Sequence, residues 1–80
     1  PPGDINLTQL EDDLKSIPHV NSVHHTHIWS LDGEHHVFTT HIKLDNIAGL
    51  VQLIEVKKEV KRALNKYPFK SLINGTVKFL

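Results

Sequence analysis

The sequence contains no cysteine and no methionine, and its nine basic residues balance nine acidic ones, so the formal net charge is zero with histidine neutral. Without cysteine there is no disulfide framework, thiolate metal site or thiol nucleophile. Without net charge there is no long-range field to attract a polyanion, so nucleic acid is not expected as a partner. No apolar run approaches the ~18 residues of a membrane span, and Pro1–Gly3 lacks the features of a signal peptide.

The motifs of common catalytic sites are also absent. There is no glycine-rich phosphate loop, no His-Glu-x-x-His pair and no serine in a strand-to-helix elbow. A catalytic interpretation needs His25 or His27 as a base, oriented by Asp32 or Glu34, but these carboxylates fall in a turn far along the strand. We therefore expect no enzymatic activity.

What the chain does contain is enough for one small domain. Its 80 residues are 39% apolar and 22% charged, which predicts a single soluble domain over residues 1–80. A core this small, with only five aromatic residues, gives marginal stability. We therefore expect support from a dimer, a metal ion or a larger parent protein.

Apolar residues spaced by three and four predict a first helix over residues 5–17. Asn6 and Gln9 form a capping box at its start, and Ile5 and Leu10 occupy the positions of a hydrophobic staple. The second helix starts from a cap at Asp45 or Asn46 and runs to about Lys66. Its predicted apolar face consists of Leu50, Leu53, Ile54, Val60, Leu64 and Tyr67.

β-Branched and aromatic residues predict two strands, over 20–31 and 35–44, joined by a two-residue Asp32-Gly33 turn. A third strand over 76–80 follows a turn at Asn74-Gly75. The order is helix, strand, strand, helix, strand. A right-handed crossover then places the third strand parallel to the second, which predicts an α+β domain with a three-stranded mixed sheet and both helices on one face.

Histidine is the anomaly, because all seven lie between His19 and His41. The two-residue turn places His24 directly opposite His41, close enough for both imidazoles to reach one metal ion, although a bulge would shift this register. The same register predicts four further pairs: Val23 with Ile42, Ile28 with Val37, His27 with Phe38, and Trp29 with His36. It puts His27 and Trp29 on the side of Val23, where packing is expected, and we expect His19 to be solvated.

A cluster of this kind predicts metal binding, although any single histidine is more often an ordinary strand residue. Zn²⁺ prefers four ligands in a closed site. The ligands beyond His24 and His41 must then come from His25, His27, His36, a carboxylate, water or a partner chain.

The segment Val23-His24-His25-Thr26-His27-Ile28-Trp29-Ser30-Leu31, followed by Thr40-His41-Ile42, resembles the cytosolic C-terminal domain of cation diffusion facilitator (cation efflux) transporters. The resemblance implies a ferredoxin-like, metallochaperone-like fold that forms a homodimer at the cytoplasmic face of a membrane. It also implies that the domain is a soluble part of an integral membrane protein, attached to the membrane domain of the same chain. Pro1–Gly3 resembles the segment that follows the last membrane span of such proteins.

The resemblance implies that His24 and His41 are metal ligands near the dimer interface. The family usually has Asp where this chain has His25, so His25 is either a replacement ligand or a change in metal preference. Some members carry further ligands near the start of the second helix and at the end of the third strand, and here these ligands are absent or lie beyond the chain end.

Our main hypothesis is a regulatory and dimerisation domain that binds Zn²⁺, or a related divalent ion such as Co²⁺ or Cd²⁺, through His24 and His41 with His25 or His36. The alternative is a metal-independent dimerisation or small-effector-binding module. A free-standing metallochaperone is weaker, because such proteins normally use a cysteine pair for thiophilic ions.

Overall fold

The computed structural model describes residues 6–32, 35–67 and 72–80. Its elements are α1 (Leu7–Lys15), β1 (Val20–Ser30), β2 (His36–Leu44), α2 (Leu50–Leu64) and β3 (Leu72–Phe79). The strand order is β1-β2-β3, with β1 antiparallel and β3 parallel to the central β2. The predicted αββαβ order and the three-stranded mixed sheet are confirmed.

Helix α1 begins as its sequence predicts. The Oδ1 atom of Asn6 accepts a hydrogen bond from the backbone N–H of Gln9 at 3.0 Å, which satisfies one of the unpaired donors at a helix start. The reciprocal half of the capping box is not formed, because the Gln9 side chain donates to Asp13 at 2.9 Å instead. The predicted staple residue Ile5 and the segment Pro1–Gly3 lie outside the described residues.

Helix α2 starts later than predicted, with Gly49 as its N-cap and no side-chain cap. The prediction of a cap at Asp45 or Asn46 is wrong. The backbone N–H of Asp45 donates to the His19 carbonyl at 3.0 Å, and its carboxylate accepts from Asn21 at 2.9 Å. Asn46 has φ 53°, in the left-handed region that a right-handed helix cannot include.

Both helices pack on one face of the sheet around a single core, as predicted. The core includes Leu10, Leu14, Ile17, Val23, Phe38, Ile42, Val56, Val60, Ala63 and Leu64. The predicted apolar face of α2 is confirmed for Val60 and Leu64, which are buried, and is wrong for Leu50 and Ile54. Leu50 and Ile54 are 71% and 44% exposed, while Val56 is buried.

The predicted turn at Asn74-Gly75 is wrong, because both residues lie within β3. In the parallel ladder Phe38 pairs with Asn74 and Thr39 pairs with Thr76, so Gly75 is an extra residue in β3. A glycine inside a strand often marks such a bulge rather than a turn.

The connection between β1 and β2 is one residue longer than predicted. Ser30 pairs with His36, and the N–H of Leu31 donates to the carbonyl of His35 at 2.8 Å. Asp32 favours this wider connection because its carboxylate accepts the backbone N–H of His35 at 2.8 Å. Gly33 and Glu34 lie outside the described residues.

A bulge in β1 then compensates for the longer connection. His27 pairs with Thr39, but the next pair is His24 with His41, so His25 and Thr26 together oppose the single residue Thr40. His25 adopts φ 54°, a left-handed conformation seen in some bulges. The predicted opposition of His24 and His41 is therefore confirmed, although the predicted turn that led to it is wrong.

Between the turn and the bulge, the predicted pairs are displaced by one residue and are wrong. Ile28 pairs with Phe38, and Trp29 pairs with Val37. Since neighbouring strand residues alternate between faces, Ile28 contacts the core while Trp29 points away from it and is 46% exposed. His27 is exposed as well, so the prediction that His27 and Trp29 pack with Val23 is wrong.

Candidate metal centre

The candidate site lies on the open face, defined here as the side of the sheet opposite α1 and α2. His24 and His41 are directly opposed, and their chain neighbours Val23 and Ile42 are buried in the core. Because side chains alternate between faces, both imidazoles lie on the open face. His24 is exposed and His41 is half-buried, so a metal ion and solvent can reach them.

The β1 bulge brings His25 to the same two residues. Its ring centre lies 5.1 Å from that of His41 and 6.5 Å from that of His24. Two imidazoles on one tetrahedral Zn²⁺, with Zn–N bonds of about 2.0–2.1 Å, have ring centres about 5 Å apart. The separation of His25 and His41 matches this value, while His24 must approach slightly for all three rings to bind one ion.

The hydroxyl of Ser22 makes a polar contact with His24. Its Oγ lies 2.9 Å from Nε2 of His24. A histidine that ligates a metal through one ring nitrogen commonly donates its other N–H to an oxygen, which fixes the ring orientation. If Nε2 of His24 donates to Ser22, then Nδ1 of His24 is available for a metal ion.

The fourth predicted ligand, His36, is separated from the other three. It alternates with Phe38 along β2 and so lies on the helix side of the sheet, whereas His41 lies on the open face. Its Nδ1 is buried and has no hydrogen-bond partner within residues 6–32, 35–67 and 72–80. The sheet therefore lies between His36 and the other three histidines.

The two remaining loop histidines have partners of their own. Nδ1 of His19 is 3.2 Å from the carbonyl oxygen of Asp45, and the ring is half-buried rather than simply solvated. Nδ1 of His35 is 3.1 Å from both carboxylate oxygens of Asp32 at the end of the hairpin. Neither histidine faces the cluster.

In the part of the chain that the structure describes, no three His, Cys, Asp or Glu side chains already stand in the arrangement of a metal site. The rings of His24, His25 and His41 are neighbours on the open face, and their side chains must rotate to converge. Neither α1 nor α2 has the length and apolar composition of a membrane-spanning helix.

Sequence reasoning missed the β1 bulge, although the sequence carries a signal for it. Val23 and Ile28 are five positions apart, so a regular strand with a period of two cannot direct both into one core. One inserted residue between them resolves the conflict, and the inserted residue is His25.

Residues 2–73 match the family described as "Cation efflux protein, cytoplasmic domain". The chain belongs to this family. The resemblance noted from the His-Trp motif is thereby confirmed, and the domain is a cytoplasmic domain of the cation efflux family.

Among curated proteins, the mouse proton-coupled zinc antiporter SLC30A1 (Mus musculus) is 32% identical over 59 residues, which cover 74% of this chain and 12% of the antiporter. The bovine (Bos taurus) probable proton-coupled zinc antiporter SLC30A3 is 34% identical over 47 residues, covering 59% of this chain and 12% of that protein. The chain thus spans 12% of the length of these curated relatives.

Among solved structures, the metal-bound C-terminal domain of the CzcD transporter from Cuprividus metallidurans is 27% identical, with a TM-score of 0.73 over 95% of this chain and 99% of that one. A MamM-CTD variant is 16% identical, with a TM-score of 0.68 over 91% of this chain and 86% of that one, and supports the fold alone. The predicted ferredoxin-like fold is confirmed.

Proposed function

We propose that residues 1–80 form one regulatory and dimerisation domain of a divalent-cation efflux transporter, and that the domain binds Zn²⁺ through His24, His25 and His41. The observation that carries this proposal is the β1 bulge, which adds His25 to His24 and His41 on the open face, with the ring centres of His25 and His41 5.1 Å apart. His36 is left out because it lies on the other side of the sheet.

The donor set favours a borderline metal ion. Neutral imidazole nitrogens bind Zn²⁺ and its neighbours in the transition series, whereas the hard ions Mg²⁺ and Ca²⁺ prefer oxygen ligands. Co²⁺ and Cd²⁺ are further candidates for the same three nitrogens. The likeness to CzcD supports this choice, since that C-terminal domain is described as metal-bound.

Three histidines leave one position of a tetrahedral Zn²⁺ site open. At an exposed sheet face, water or a residue of a second protomer can supply the fourth ligand. The second source agrees with the proposed homodimer. Metal binding would then stabilise one arrangement of the homodimer and act on the membrane domain of the same, longer chain. In this scheme the domain senses the ion and performs no catalysis.

Calorimetric titration with Zn²⁺ tests the ligand assignment. The double variant His24→Ala/His41→Ala is expected to lose zinc binding, because it leaves His25 as the only proposed ligand. His35→Ala is the matched control, since it also removes an exposed histidine from the hairpin but one that contacts Asp32. Unchanged zinc binding by the double variant would contradict the proposal.

Metal-independent dimerisation is the second candidate, favoured by exposed apolar residues at the start of α2. Leu50 and Val51 are 71% and 72% exposed in the single chain, and a self-association surface would cover such side chains. Sedimentation with and without a chelator separates the two functions. A dimer that persists in chelator, from protein that takes up no Zn²⁺, supports the second candidate over the first.

A further inference from the structure

Thr40 stands out in the core of the domain. It is 0% exposed and, among the residues that the structure describes, it is the only polar one that is buried. A buried hydroxyl is unfavourable unless it is hydrogen-bonded. Thr40 lies in β2 immediately before His41 and opposite the β1 bulge, so the hydrogen bonds of its hydroxyl can affect the position of the histidine cluster.

The Thr40 hydroxyl connects the two sides of the bulge. Its Oγ1 is 3.2 Å from the carbonyl oxygen of His24 and 2.9 Å from Oγ1 of Thr26. A hydroxyl has one proton, and the carbonyl can only accept, so Thr40 donates to His24 and Thr26 donates to Thr40. The acceptor residue His24 and the donor residue Thr26 are the immediate chain neighbours of His25.

We propose that the hydroxyls of Thr26 and Thr40, here called the threonine pair, are positioning groups that hold the β1 bulge and thereby keep the His25 ring beside His41. This inference rests on the proposed zinc function. It adds a role for two residues that do not touch the ion and that lie on the opposite side of the sheet from the proposed ligands.

The conformation of His25 explains why such positioning is needed. A left-handed φ of 54° is unfavourable for a residue with a Cβ atom, so it persists only where surrounding contacts enforce it. The threonine pair fixes the carbonyl before His25 and the side chain after it. If the bulge relaxed or moved along β1, His25 would leave the open face, because a slip of one residue reverses the facing of a strand.

The test replaces one atom at a time in the whole 80-residue chain. Thr40→Val keeps the shape and β-branching of Thr40 but removes the hydroxyl, and Thr40→Ser keeps the hydroxyl. Thr39→Val is the matched control, since Thr39 is the adjacent threonine in β2, and its hydroxyl makes no hydrogen bond within the described segments. Each variant is titrated with Zn²⁺, and the amide-to-Hα coupling constant of His25, which reports φ, is measured by NMR without metal.

Thr40→Val is expected to weaken zinc binding about tenfold, at the low end of the effects of groups that orient ligands, and to shift the His25 coupling constant towards its extended-strand value. Thr40→Ser and Thr39→Val are expected to retain the wild-type affinity and coupling constant. Equal losses in Thr40→Val and Thr40→Ser would show that packing matters rather than the hydroxyl, and would overturn the inference. An unchanged coupling constant in Thr40→Val would overturn it too.

The two proposals fail in distinguishable ways. A wild-type domain that binds no Zn²⁺ refutes the proposed function and the metal role of the threonine pair with it. A wild-type domain that binds Zn²⁺ through His24 and His41, with Thr40→Val equally tight, leaves the proposed function intact and refutes the positioning role alone.

Discussion

The two faces of this sheet are built by the same strands but have opposite chemistry. The helix side carries Val23, Phe38 and Ile42, which are buried in one apolar core. The open face carries His24 and His41 and is joined by His25 only because β1 contains an extra residue. One inserted residue can thus collect polar side chains on one face without removing any apolar side chain from the other.

The two faces are expected to differ most in their contribution to stability. Phe38→Ala removes a fully buried aromatic ring and is expected to lower the free energy of unfolding by about 3–5 kcal/mol. Trp29→Ala, on the open face, is the control and is expected to cost less than about 1 kcal/mol, because its side chain is 46% exposed. Urea unfolding followed by circular dichroism measures both. Comparable losses would show that the open face is covered in solution.

Two single-residue deletions test the bulge itself. Deletion of Thr26 leaves His25 in the position that faces the core, and we expect a loss of at least about 2 kcal/mol from overpacking and an unpaired buried imidazole. Deletion of His25 gives a regular strand in which Val23 and Ile28 still face the core, so a smaller loss is expected. Denaturant unfolding compares the two. The reverse order of stabilities would show that the bulge is not at His25.

Competition between protons and Zn²⁺ tests the proposed histidine ligands on the open face without any substitution. Ligating imidazoles must be deprotonated, so zinc affinity is expected to fall as the pH drops through the range in which histidines titrate. Each proton displaced per zinc ion weakens the apparent affinity about tenfold per pH unit below that range. Calorimetry at several pH values, in buffers of different ionisation enthalpy, counts these protons. An affinity that does not change with pH would argue against histidine ligands.

The smallest effect concerns a contact between α1 and the chain after α2. The Tyr67 hydroxyl donates to the Asp13 carboxylate, and this bond, with a second one from Gln9, lowers the pKa of Asp13. Burial and the same bond raise the pKa of Tyr67. Because the pKa of Asp13 is lower in the folded state, its contribution to stability is present above its unfolded pKa and is lost as pH falls through the folded value.

Tyr67→Phe is therefore expected to raise the pKa of Asp13 towards its ordinary value and to weaken the dependence of stability on acid. NMR titration of the Asp13 carboxyl carbon measures the shift, and Gln9→Ala is a control that removes the second bond while leaving Tyr67 in place. An unaltered Asp13 titration in Tyr67→Phe would show that the hydroxyl contact does not form in solution.

The element order and the parallel pairing of β2 with β3 could be predicted from sequence, because they rest on periodicity and on the handedness of the crossover. The pairing of His24 with His41 was predicted from a two-residue turn that does not form, and it holds because the β1 bulge offsets the longer connection. The start of α2 could not be predicted, since Asp45 is a good cap by residue type but is engaged with the loop at His19 and Asn21, and Asn46 has a left-handed φ. The register between β1 and β2 near the turn could not be predicted either. The choice between a two-residue turn and a longer connection with a bulge depends on tertiary contacts such as those of Thr40.

The β1 bulge is matched by a second irregularity across β2. The extra Gly75 in β3 falls between the partners of Phe38 and Thr39, while the extra residue in β1 falls opposite Thr40. Bulges increase the right-handed coiling of the strands around them, so two at nearly the same level act together. We therefore expect the half of the sheet that bears His41 to be twisted relative to the half that bears Trp29, so that a flat partner surface could contact only one half closely.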